Sequence, residues 1–175
     1  MVFPGGWSEL LTAAQGADDP TKALLDILAT LPGYCEDPLA KKARLLALIL
    51  GARPERFLGA KPQVPGAIVD YHLMRGCLRT GLVEVMDPEL RARLEARTWV
   101  DEFEEDTVRR ACSEALDRLE AASGLSVGEI DGFFFANGRK RCVQLQEPTC
   151  SSCPIQAACP QRTALFQPIF RTTFY

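Results

Sequence analysis

Four cysteines crowd one stretch late in the chain. Cys142, Cys150, Cys153 and Cys159 follow the spacing C-x7-C-x2-C-x5-C and fall within 18 residues. Thiolates are nucleophiles and soft metal ligands, so a group this dense reads as a metal site, an iron–sulfur centre or a disulfide knot. Disulfide frameworks belong to oxidising compartments and to chains too short to build a core. At 175 residues this chain is long enough for one ordinary domain. No signal-like apolar segment follows Met1 and no apolar run reaches ~18 residues, so a cytoplasmic protein with no membrane span is expected. Structural zinc favours two paired knuckles, and only Cys150 and Cys153 form one here. One knuckle with a lone cysteine on either side suits a 4Fe–4S cubane, since each iron takes one thiolate and the loop must reach four corners. The residues by themselves leave 4Fe–4S and zinc both open.

Two further features could do chemistry. Asp70 precedes Tyr71-His72-Leu73-Met74-Arg75 and is placed to cap a helix. His72 is the single histidine; on a helix it reads as a packed or hydrogen-bonded side chain, and Arg75 as the partner of an acid. Directly before Cys142, Arg139, Lys140 and Arg141 are three consecutive cations, which focus a positive potential suited to phosphate. The whole chain is acidic, with net charge −3, which disfavours a general nucleic-acid binder. The charge is uneven: from Phe133 onward five basic residues face one acid, Glu147, whereas Asp101–Asp106 holds five acids.

The elements that must carry these residues are helical. Asp19-Pro20 starts a helix to about Leu31, and Asp37-Pro38 one to about Leu50 with Gly51 as its stop. Lys41, Lys42 and Arg44 read as a solvated face. A short helix over Trp7–Ala14 precedes these. Gly and Pro punctuate residues 51–68 as a connection. Asp70 opens a helix to Thr80, with Gly81 as its left-handed stop. Asp87-Pro88 opens another to about Arg97, and a long helix spans Thr107–Ala122, ended by Gly124. Ser126 with Glu129 forms a capping-box pattern before the Phe133 segment. No stretch alternates with period two for long enough to argue a sheet, so the fold class is all-α with about seven helices. Residues 1–132 read as a helical domain with an insertion at about 82–105. Residues 133–175 read as the cysteine loop and a tail packed on it through Phe166, Phe170 and Phe174. Cys77 and Cys112 read as small core residues.

Asp131-Gly132-Phe133-Phe134-Phe135-Ala136-Asn137-Gly138-Arg139-Lys140-Arg141-Cys142 resembles the entry to the iron–sulfur loop of the endonuclease III family, within the helix-hairpin-helix DNA glycosylases. The family spacing is C-x6-C-x2-C-x5-C, one residue shorter in the first gap. Val69-Asp70-Tyr71-His72-Leu73-Met74-Arg75 resembles the family's Val-Asp-Thr-His-x-x-Arg segment, whose aspartate is catalytic. The resemblance covers about residues 36–83 and 107–160. It implies a glycosylase-like helical bundle with a 4Fe–4S cluster on Cys142, Cys150, Cys153 and Cys159, Asp70 as the catalytic carboxylate, and DNA as the partner.

The chain departs from the family where the family grips duplex DNA. Leu58–Gly66 is too short and too rich in proline for the hairpin, Leu31-Pro32-Gly33-Tyr34 only echoes its turn, and Lys61 is misplaced for a Schiff base. The expected activity is hydrolysis of the N-glycosidic bond of a damaged or mismatched base, without lysine-based strand cleavage. The alternative is a non-catalytic iron–sulfur relative that binds nucleic acid or a protein partner.

Overall fold

The computed structural model describes residues 5–59, 63–166 and 174. Among them are seven helices and one short 3-10 turn, with no strand: α1 (Gly6–Gln15), α2 (Pro20–Leu28), α3 (Lys41–Ala52), α4 (Tyr71–Thr80), α5 (Pro88–Glu95), α6 (Glu102–Ser123), α7 (Val127–Lys140) and the turn Cys150–Ser152. The all-α expectation holds. The chain divides between Ile68 and Val69 into two compact units. The boundary read at 132/133 falls inside α7, and α5 lies within the segment read as an insertion.

In the first unit α2 packs on both α1 and α3. Leu10, Ala14, Leu24, Leu28, Ala43, Ala47 and Leu58 form its buried core. The second helix stops at Leu28, short of Leu31, and both ends of α3 differ from expectation for local reasons. Asp37 turns its carboxylate onto the N–H groups of Leu39 and Lys41, at 3.0 and 2.7 Å, and Ala40 is left-handed with φ 50°. That side-chain turn competes with the helix, so α3 begins at Lys41 and not at Pro38. It then runs through Gly51, which does not stop it. Arg44 is not part of a solvated face: its Nη1 donates to the Ala67 carbonyl at 2.9 Å.

In the second unit α4 packs against both α6 and α7, and α6 against α7. Leu73, Met74, Cys77 and Leu78 of α4 are buried with Val108, Cys112 and Leu116 of α6 and Ile130 and Phe134 of α7. Each helix is signed at its start. Asp70, Asp87, Asp101 and Ser126 accept bonds from first-turn N–H groups, and Asp101/Glu104 and Ser126/Glu129 are full capping boxes. The Asp101–Asp106 run is therefore the beginning of α6, five residues before the expected start. Acids there also meet the positive end of the helix dipole. Cys77 and Cys112 are fully buried core residues, as expected, and contact with Cys77, then burial, push the Cys112 thiol well up.

Gly76 lets α4 and α7 touch: a Cβ there would lie 2.3 Å from Phe134 Cδ1. An open mid-helix glycine gains about 1 kcal/mol when changed to Ala, whereas forcing atoms into a packed contact costs about 1–3 kcal/mol. Gly76→Ala should therefore lower stability. Gly132→Ala on α7, where a Cβ meets nothing within 4 Å, should raise it. Urea unfolding midpoints of the two variants check this, and equal shifts would contradict the close packing.

Candidate metal centre

The four cysteines line one cavity of the second unit. Their loop starts where α7 ends. The Cys142 N–H follows Asn137 O at 2.8 Å, and the Thr149 N–H returns to Arg141 O at 3.0 Å, closing the first gap into a loop. The 3-10 turn then joins Cys150 to Cys153, and the Cys159 N–H returns to Ile155 O at 3.0 Å. All four thiols are half-buried and none is in a disulfide. They also feel one another electrostatically: burial first, then the charges of Cys142, Cys159 and Cys153, raise the Cys150 thiol, opposed by Arg79.

What grips the loop is α4. Arg75 and Arg79 stand one turn apart on its inner face and are both 1% exposed. Arg75 Nε donates to the Cys142 carbonyl at 3.0 Å and its Nη2 to the Gly138 carbonyl at 2.8 Å. Arg79 Nε donates to the Leu165 carbonyl at 2.9 Å, and its Nη1 to the Val143 carbonyl at 3.0 Å and to Cys142 Sγ at 3.4 Å. The Arg79 carbonyl accepts from the Arg162 N–H at 3.1 Å and the Cys159 thiol at 3.7 Å. One residue thus touches the first and last cysteines and the segment beyond them. Arg75 does not pair with an acid, as the sequence suggested; carbonyls and His72 take its bonds. The His72 Nδ1 lies 2.8 Å from Arg75 Nη2. A guanidinium offers only donors, so Nδ1 is the acceptor in this bond.

Two guanidinium atoms, Arg75 Nη1 and Arg79 Nη2, are buried with no hydrogen-bond partner among the described residues. Burial first and Arg79 second push the Arg75 guanidinium down. Two like charges buried one turn apart beside four thiols form a donor set suited to an anionic group. Among the described residues no three His, Cys, Asp or Glu side chains converge closely enough for a single ion. A tetrahedral zinc needs its four sulfurs within about 4 Å of each other, given a Zn–S bond of about 2.3 Å. A cubane puts each sulfur on a different iron and spreads them further.

Asp70 is the N-cap of α4, as expected. Its Oδ1 accepts from the His72 and Leu73 N–H groups at 2.8 and 3.0 Å, and it is 8% exposed. Behind it, Arg109 of α6 is fully buried and holds the Val69 carbonyl. Asp70 does not line the cysteine cavity; His72, Arg75 and Arg79 do. The three cations at the end of α7 have different surroundings. Arg139 lies over the Phe135 ring at 5.6 Å, Lys140 is exposed, and Arg141 turns into the cavity with Nη1 on Asn137 Oδ1 at 3.0 Å. Leu165 and Phe166 are buried, and Arg97 lies 5.3 Å over the Phe166 ring. Lys61 and Phe170 lie outside the described residues, and Phe174 groups with the first unit.

No family model, curated protein or solved structure matches this chain. The resemblance to the endonuclease III family rests on the Asp70 and Cys142 segments alone.

Sequence reasoning missed Arg79. Its signal was the spacing of Arg75 and Arg79, four apart among Leu73, Met74, Cys77 and Leu78, which puts two cations on an otherwise apolar face. Arg79→Met keeps much of the volume but strands the carbonyls of Val143 and Leu165. At about 1–3 kcal/mol for each unsatisfied buried group, it should lower stability by at least about 2 kcal/mol. Lys140→Met, at an exposed position, should leave it unchanged. Thermal midpoints of both variants decide; an unaltered Arg79→Met midpoint would show that the clasp contributes nothing.

Proposed function

We propose that this chain is an iron–sulfur protein that acts on DNA in the manner of a base-excision glycosylase. Cys142, Cys150, Cys153 and Cys159 would hold a 4Fe–4S cluster; once bound, it supplies thiolate–iron bonds that tie the loop into the fold. The observation that carries the reading is the double use of α4. Its first turn is capped by a buried carboxylate, and its next two turns grip the cysteine loop.

The chemistry assigned to Asp70 is electrostatic. When the C1′–N bond of a nucleoside breaks, the electron pair leaves with the base, which takes up a proton, and the sugar gains oxocarbenium character. A fixed carboxylate stabilises that charge and can accept a proton from the water that bonds to C1′. The base must first be unstacked. With no lysine assigned to a Schiff base, the product is an abasic site. A second reading is supported by the same helix: Asp70 is mostly buried, serves as a cap and does not face the cysteine cavity. On that reading the protein binds nucleic acid or a protein partner without catalysis.

Asp70→Asn separates the two, because Asn caps as well as Asp. On the glycosylase reading, stability should change by less than about 1 kcal/mol, while base release falls on the order of a hundredfold or more. Strand breaks should appear only after alkali. A panel of damaged and mismatched oligonucleotides provides the assay. Absence of base release from every substrate by the wild-type protein leaves the non-catalytic reading.

A further inference from the structure

A continuous strip of rings and cations runs from the start of α4 to the end of α7. The Tyr71 and His72 rings lie 4.2 Å apart, tilted by 37°. His72 meets Phe135 edge-on at 5.2 Å and 81°. Arg139 covers Phe135 at 5.6 Å. Phe135 is 40% exposed, Arg139 and Lys140 are exposed, and Tyr71 and His72 are half-buried. The strip is held in register from below: a Cβ on Gly138 would lie 2.9 Å from His72 Nδ1, so the helices meet there backbone to side chain, and Arg75 ties His72 to the Gly138 carbonyl. Asp70, next to Tyr71, is engaged as the α4 cap, and Asp131 stands four residues before Phe135 on α7.

We propose that Tyr71, His72, Phe135 and Arg139 form a stacking platform for unpaired nucleobases, so that the nucleic acid this chain takes is single-stranded. The proposal rests on the nucleic-acid reading above and narrows its substrate class to damaged bases in single strands, setting aside the mismatched base, which exists only in a duplex. Aromatic faces interleaved with cations are the chemistry of single-strand binding, in which bases stack and cations follow the backbone. In a duplex the base faces are already stacked on their neighbours and offer nothing to such a strip. Duplex affinity depends on many phosphate contacts, and on a chain of net charge −3 the strip offers Arg139 over Phe135 and, next to it in sequence, the exposed Lys140. Tyr71 directly follows Asp70, so a base resting on the strip brings its sugar toward that end of α4.

The test is fluorescence anisotropy with the full chain and three labelled probes: a fifteen-nucleotide oligothymidylate, a fifteen-base-pair duplex, and an abasic deoxyribose-phosphate oligomer of equal charge. The oligothymidylate should bind about tenfold or more tighter than the other two, the scale of one or two stacked bases. Phe135→Leu should remove most of that preference and leave the salt slope unchanged. Arg139→Gln with Lys140→Gln, both exposed, should flatten the salt slope. Equal affinity for oligothymidylate and the abasic oligomer would overturn the platform, as would unchanged oligothymidylate affinity in Phe135→Leu. Preference for the duplex would overturn the platform and leave the DNA reading standing. Failure of all three probes at low salt would overturn both. If, in that case, an apolar dye binds the wild type but not Phe135→Leu, the strip is a protein-docking face.

Discussion

Two buried guanidinium groups set the terms for the second half of this molecule. Isolated charges are costly to bury, and two of one sign a turn apart are costlier still. Arg75 and Arg79 offset part of that cost with bonds to the carbonyls of Gly138, Cys142, Val143 and Leu165, which fasten α4 to the end of α7, the first cysteine and the segment past the last. Among the described residues those bonds leave Arg75 Nη1 and Arg79 Nη2 without a partner. An anionic centre among the four thiols would complete the arrangement: a cubane with four thiolates carries a net charge of about −2, matching two cations. With such a centre bound, the four thiolates and the two arginines would form one electrostatic unit.

The two arginines give one helix several roles. A ten-residue helix presents its first-turn N–H groups to Asp70, its apolar stripe to α6 and its cationic stripe to the cysteine loop. Gly76 and Gly138 bring α7 close enough for these contacts to form. Removing the loop would release the arginines, and losing the arginines would release the loop. The carboxylate at the head of the same helix is held by Arg109 through the Val69 carbonyl and by its own caps, so its position depends on α6 as much as on the loop.

Much of this was legible in the sequence where a local rule acts alone. Asp70, Asp87 and Ser126 as caps, Gly81 and Gly124 as left-handed stops, and Cys77 and Cys112 as core residues all follow from side chains that decide their own surroundings. The failures came where neighbours compete. Asp37 prefers its own turn to a helix start, and Gly51 is carried inside α3 because the helix continues past it. The long helix starts at Glu102 and not at Thr107, because Asp101 and Glu104 cap each other among the acids of Asp101–Asp106. The role of Arg79 was not legible, because its partners lie 63 to 86 residues away. Nothing in local spacing says that two arginines on an apolar stripe will hold the first and last of four cysteines. The cysteine spacing itself was legible, yet it leaves zinc and a cubane apart only by argument.

The measurement that bears most directly on the electrostatic unit is the metal and sulfide content of the anaerobically purified protein, read together with its absorption spectrum. About four irons and four acid-labile sulfides per chain are expected, with a broad band near ~400 nm from thiolate-ligated iron. A colourless protein carrying one zinc and no sulfide would contradict that unit.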